Sequence, residues 1–306
     1  MALRVHVLVS CISIAIASPL LNRWTNRVTR QGCDDVLYFK NGKYYLVHET
    51  TPVPGMPADI SVDWQRDNIY FTLVSNEMKM SLQVLYNEDP KRLKTIDVPA
   101  LGQSTAVDNI RHEIFLATDN GVYKYVNDSI VERYSAAGED VMYITVYDAG
   151  KEMYLATFPH NLVLKITRNG LKSEYFSAIP NGHGLKMDMH GNLYFFTGNV
   201  PYVLRKDSQM PIRIPGFKDD SNKLFFTAKN GQTFAMDAAS RMYVLSPSVP
   251  TAVYVGTFNI ADVNAFAMDS ENNVIIGVGQ SIIKYVGYDQ NPCSYKKYSD
   301  ESDQRL

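Results

Sequence analysis

Cysteine is scarce in this chain of 306 residues: there are three, and no two of them form a C-x-x-C motif. The G-x-S-x-G nucleophile elbow, the H-E-x-x-H zinc helix and the Walker loop are missing as well, which removes the common hydrolase, metalloprotease and nucleotide-binding signatures. No segment keeps the i, i+3, i+4 spacing of an amphipathic helix over a useful length. Beyond the first seventeen residues no stretch approaches the roughly 20 apolar residues that a membrane-spanning helix requires. Charge of one sign is missing too: 30 Lys and Arg stand against 32 Asp and Glu, for a net −2. Such a balance lacks the basic field that nucleic acid or an anionic membrane surface would call for.

What is present begins with "MALRVHVLVSCISIAIAS", one arginine followed by an apolar run over residues 5–17 with small residues at Ala15 and Ala17. This is the pattern of a secretory signal peptide, residues 1–17, and it predicts a secreted, extracellular protein. Residues 18–32, with Arg23, Arg27 and Arg30, then read as a solvated arm, and residues 299–306 as an acidic tail. Cys11 leaves with the signal. Cys33 and Cys293 remain, and in an oxidising compartment they are expected to pair. A bridge closing so long a loop is worth on the order of 5 kcal/mol in the chain-entropy model. It also removes the free thiol nucleophile. With 45% hydrophobic and 20% charged residues and no low-complexity tract, the rest of the chain is expected to be globular.

One pattern recurs through that region. "ISVDWQRDNIYFTL", "TAVDNIRHEIFLAT", "ITVYDAGKEMYLAT", "LKMDMHGNLYFFT", "FFTAKNGQTFAMD" and "FAMDSENNVIIGV" each carry a short apolar strand, a polar turn and an aromatic-aliphatic strand. They align with Asp63, Asp108, Tyr147, Asp188, Ala228 and Asp269 at one position and repeat about every 40 residues, the period of a propeller blade. After each pair comes a third strand such as "GVYKYV" and a fourth such as "IVERYS". The fold class is therefore all-β, a six-bladed β-propeller over residues 33–298. The hairpin "DVLYFKNGKYYLVHE" at residues 35–49, with Asn41-Gly42 at its turn, precedes the first copy. It is expected to supply the outer strands of the blade whose inner strands lie at the C-terminus. N-terminal strands thus close the ring, and the Cys33–Cys293 bridge staples it.

The repeat bears on the apparent motifs. In "NGHGLKMDMHGNLYFFTGN", His183 and His190 suggest a metal site, but they lie seven residues apart on either side of an inner strand, up to roughly 23 Å if extended. A shared ion needs both imidazoles about 2 Å away, so no metal and no cofactor is expected. His190 and the repeated aspartates read as turn chemistry. His183, between two glycines at the channel mouth, is a candidate ligand contact. The same geometry nominates Asp59, Gln103, Asp140, Tyr143, Asn181, Lys223 and Asn264 from the entries to inner strands. Loops between second and third strands add Asn120, Phe158, His160, Asn199, Tyr202 and Gln280. Of these, His183, Asn181, Tyr143, Phe158, His160, Gln103, Lys223, Asn264 and Tyr202 suit a flat polar ligand, with rings to stack and amides, imidazoles and an amine to meet oxygens. Asn127-Asp128-Ser129 is either a glycosylation site or an ordinary blade turn.

With "CDDVLYFKNGKYYLVHET" opening its mature part, then "ISVDWQRDNIYFTL" and five more blade repeats, the chain resembles the ommochrome-binding proteins of moth and butterfly haemolymph. That resemblance implies a non-catalytic carrier whose partner is a small tryptophan-derived phenoxazinone pigment with acidic groups. It carries over no binding residue. More distantly, "PNGHGLKMDMHGNLYF" is similar to blades of the gluconolactonase and paraoxonase propellers. That similarity implies an alternative, a calcium-dependent lactonase or esterase, in which Asn181 would be a metal ligand with Asp59, Asp140 and Asn264 as further candidates. A second alternative is a structural or protein-interaction propeller that uses its outer faces.

Overall fold

The computed structural model describes residues 35–88, 91–148, 151–167, 169–219 and 223–293. Residues 1–17, 18–32 and 299–306, assigned from sequence as signal, arm and tail, lie outside the described residues, as does Cys33. Among the described residues there is no α-helix, and six antiparallel sheets follow one another along the chain.

Five sheets are simple four-stranded blades taken in chain order. Their inner strands are Met56–Asp63, Gly102–Asp108, Val141–Asp148, Gly182–Met187 and Lys223–Thr227. The second strands are the most buried: every residue of Asn68–Val74 and of Thr233–Asp237 is covered. A strand sandwiched between neighbouring blades has no wet face, so its apolar residues run on without alternation. Outer strands are the reverse. Lys172–Tyr175 is wholly exposed, and its Lys and Glu make a poor template for further strand pairing.

The sixth sheet is the expected closure. The inner strand Val263–Met268, the second Val274–Val278 and the third Ser281–Tyr288 are joined by Tyr44–Pro52, and that strand by Leu37–Tyr38. The pairing runs from Tyr44 opposite Tyr288 to Pro52 opposite Ser281. A knot of aromatic rings secures it: Phe39 lies 4.8 Å from Tyr45 and 4.7 Å from Phe258, which lies 4.6 Å from Tyr285. Lys40 N also donates to Val255 O on the fifth blade. Cys293 is disulfide-bonded just beyond the closing sheet.

The aspartate positions behave as turn chemistry, with one correction. Asp188 Oδ1 accepts from His190 N and Asn192 N, and Oδ2 from Asn192 Nδ2. Asp269 repeats this with Glu271 N, Asn273 N and Asn273 Nδ2, and Asp108 receives Ile110 N and Arg111 N. In the third blade the equivalent residue is Asp148 and not Tyr147. The register shifts between Val146 and Asp148, so Tyr147 is the extra residue of a bulge, and Asp148 pairs with Glu152 at the strand end. A bulge adds one residue, which a gap-free alignment of repeats reads as a substitution.

Candidate functional site

Five of the six inner strands are irregular where they leave the mouth. Register shifts fall at 58–61, 102–104, 141–143, 183–186 and 263–265, and only the fifth blade runs straight. Bulges re-aim side chains, and here they turn Asp59, Gln103, Met142, Gly184 and Asn264 out of the ladder. Asp59 and Asn181 adopt left-handed backbone, at φ 45 and 57.

Several mouth groups are already engaged. Asp59 Oδ2 accepts from Ser104 Oγ at 2.5 Å and Thr105 N at 3.0 Å. Gln103 Nε2 donates to Asp140 Oδ1 at 2.5 Å, and Asp140 O accepts from Phe158 N. His183 Nε2 donates to Gly198 O at 2.8 Å, while its ring stacks on Phe196 at 5.6 Å and approaches Tyr143 at 6.3 Å. Phe196 in turn lies flat against Phe225 at 4.8 Å. Burial pushes the His183 imidazole below its usual range, and the carbonyl of Gly198 opposes this.

Of the residues nominated from sequence, Tyr143 and His183 meet as one aromatic pair, and Gln103, Asp140 and Phe158 form a connected group. Asn264 is a bulge residue on the sixth inner strand. Asn181 and His160 are exposed at the rim. Two lie elsewhere. Lys223 is buried, its Nζ 2.7 Å from Asp219 O and 3.3 Å from Asp219 Oδ1, with Phe217 beside it. Tyr202 belongs to the third strand Val200–Leu204 and stacks on Phe195 at 5.6 Å, in the packing between blades. Asn127 is exposed in its turn, with Oδ1 accepting from Ser129 N.

A cavity of about 370 Å³ opens at the other end of the channel, where the inner strands enter their turns. Trp64, Ile110, Tyr147, Met189 and Phe226 supply its apolar wall. Its neutral polar groups are largely spent on the frame: Ser61 Oγ bonds Thr105, Thr145 Oγ1 accepts from Met187 N, and Asn109 joins Trp64 N to Val62 O. Asp188 is saturated by its turn. Lys186 also lines the cavity. Its Nζ stands 5.4 Å from the centre of the Phe226 ring and makes no hydrogen bond or ion pair among the described residues. Burial pushes this amine below the usual lysine range, with the Asp59 carboxylate opposing from a distance.

Sequence reading passed over Lys186, although a signal exists. The residue two places before the turn aspartate is Ser61, Ala106 and Ala267 in three other blades, and Phe226 stands two places before Ala228. A lone cation at a position otherwise small or apolar breaks the repeat.

Among the described residues no three His, Cys, Asp or Glu side chains converge on a point that could hold an ion. Asp59 and Asp140 instead each take a proton donor from the neighbouring wall.

No protein-family model matches this chain, and no curated protein matches it in sequence. Solved structures do resemble it. A gluconolactonase from Xanthomonas campestris superposes with a TM-score of 0.61 at 10% identity, over 80% of this chain and 90% of that one. The calcium-binding protein regucalcin from Agrobacterium tumefaciens gives 0.58 at 9%, over 76% and 90%. A streptogramin B lyase gives 0.56 at 12%, over 80% and 98%. At such identities the common property is the propeller fold.

Proposed function

We propose that this protein is a secreted, non-catalytic carrier that holds a flat aromatic metabolite with an acidic group, of the ommochrome kind, in its channel. The observation that carries the reading is the cavity at the turn end, where aromatic and aliphatic walls surround the Lys186 amine, which has no counter-ion among the described residues, with the exposed Lys229 as a second amine of the lining. A fused ring system suits walls formed by Trp64, Tyr147 and Phe226, since apolar faces bury it and edge contacts orient it. A carboxylate on such a ligand supplies the charged hydrogen-bond partner that the protein withholds from Lys186. The resemblance of the blade sequences to the ommochrome-binding proteins supports the same ligand class.

This reading moves the principal contact from the mouth to the opposite end of the channel. At the mouth, Lys223 is neutralised by Asp219 and His183 is held by Gly198. Tyr143 and His183 remain as a second aromatic surface above the channel. The lactonase alternative draws on the likeness to the Xanthomonas gluconolactonase, and the commitments of Asp59 and Asp140 give it less support. The test is a titration of the purified full chain with xanthommatin-like compounds, read as an absorption shift or, in a Trp24→Phe background, as quenching of Trp64. Saturable binding that falls at least tenfold in Lys186→Met supports the carrier. No spectral change at any pigment concentration sinks it.

A further inference from the structure

Most of the chain's enclosed amines sit against an acid. Lys223 pairs with Asp219, Lys284 with Asp269 at 2.6 Å, Lys165 with Glu152 at 2.5 Å and Lys124 with Glu113 at 2.5 Å. Lys186 breaks the pattern. Its Nζ faces a cavity, its nearest described ring is Phe226, and no carboxylate among the described residues lies within ion-pair distance.

We propose that Lys186 is a covalent capture site: its amine condenses reversibly with small aryl aldehydes and ketones that enter the cavity, forming an imine. The step balances without an oxidant or reductant. The nitrogen lone pair attacks the carbonyl carbon, the carbonyl π pair moves to oxygen, and the protons lost by nitrogen leave with that oxygen as water. One carbonyl and one amine give one imine and one water.

Three features of the site favour this chemistry. First, an amine without a counter-ion in apolar surroundings is held toward its neutral, nucleophilic form, in keeping with the downward push that burial exerts here. Second, the aromatic wall favours aryl carbonyls over aliphatic ones. Third, a cavity of 370 Å³ accepts a ring and its substituents beside the amine. The ionisable groups around Lys186 are few. Asp59 acts from the first blade, Tyr147 from the third and Lys229 from the fifth, while Asp188 on its own blade is saturated by hydrogen bonds.

This inference rests on the same cavity as the carrier reading but not on its ligand. The full chain is incubated with benzaldehyde at pH 7, trapped with cyanoborohydride, digested, and each lysine scored by mass spectrometry. The expected result is one adduct per chain, at Lys186, formed at least tenfold faster than at any surface lysine and with a pH midpoint below theirs. Lys186→Arg, which keeps a long basic side chain but not the nucleophilic amine, abolishes it. Labelling spread over surface lysines, with Lys186 no faster than they are, overturns the proposal, and the wild-type map decides this even where the variant fails to fold. A protein that binds pigment but leaves Lys186 unlabelled loses the imine and keeps the carrier. One that labels at Lys186 but ignores pigment loses only the carrier.

Discussion

Asp188 and His183 show how differently residues of one short stretch are used. Asp188, itself buried, receives three hydrogen bonds from its own turn, and Tyr194 lies at 3.5 Å as a fourth donor. Asp188→Ala strips that turn of its acceptor and strands buried N–H groups. A loss of about 3 kcal/mol is expected in chemical denaturation, since buried bonds to a charge are worth about 1.5–3 each but share one turn. His183 gives a pH effect instead. Its folded pKa is depressed, so the stability it permits is present above the unfolded value of about 6.5 and is lost as pH falls through the folded value. Melting curves at pH 7.5 and pH 5 should therefore show a steeper acid loss in wild type than in His183→Phe, which keeps the stack on Phe196. Equal losses would contradict this assignment. The turn role of the aspartates was legible in the sequence because Asn, Gly and Asp cluster after each inner strand. Lys186 was hidden because a lysine between Leu185 and Met187 looks like the polar half of an ordinary strand, and only its place in the ring makes it a channel residue.

Among the elements, the closing hairpin carries the argument about the ring. Residues 35–49 were readable as a hairpin from Asn41-Gly42 and flanking aromatics, and as a closure from their place before the first repeat. The structure adds what local pattern could not: Phe39 packs against both Tyr45 and Phe258, which also touch each other at 5.4 Å, and so reaches the fifth blade. Gly256 makes room for it, since a Cβ there would fall 2.4 Å from the Phe39 ring. Gly256→Ala must displace that ring, and a cost of about 1–3 kcal/mol is expected for such overpacking. The check is the melting temperature of the full chain, with a Phe39→Leu, Gly256→Ala double variant expected to recover part of the loss. Bulges account for the other differences. The one at Tyr147 shifted the third repeat by one residue, and those at the mouth turned nominated residues toward neighbours whose identity depends on the adjacent blade. Register irregularities depend on packing across blades, so a single repeat does not contain them.

For the whole molecule, the period near 40 residues was enough to give the class, the number of blades and the way the ends meet. The site was less accessible, because a propeller has two channel ends and the sequence marks both with turn residues. Amide-rich loops pointed to the mouth, where the structure finds Lys223, Asp59 and Asp140 occupied by neighbours. The Lys186 amine, unpaired among the described residues, and an aromatic wall instead distinguish the turn end. The proposed ligand, a planar acidic aromatic, binds there through Lys186. The direct measurement is equilibrium titration of the chain and its Lys186→Met variant, both carrying Trp24→Phe so that Trp64 alone emits, with a xanthommatin-like acid and its neutral ester. The account predicts that wild type prefers the acid at least tenfold and that the variant binds acid and ester alike. Equal affinity of wild type and variant for the acid, or binding that leaves Trp64 emission unchanged, would place the ligand elsewhere and contradict it.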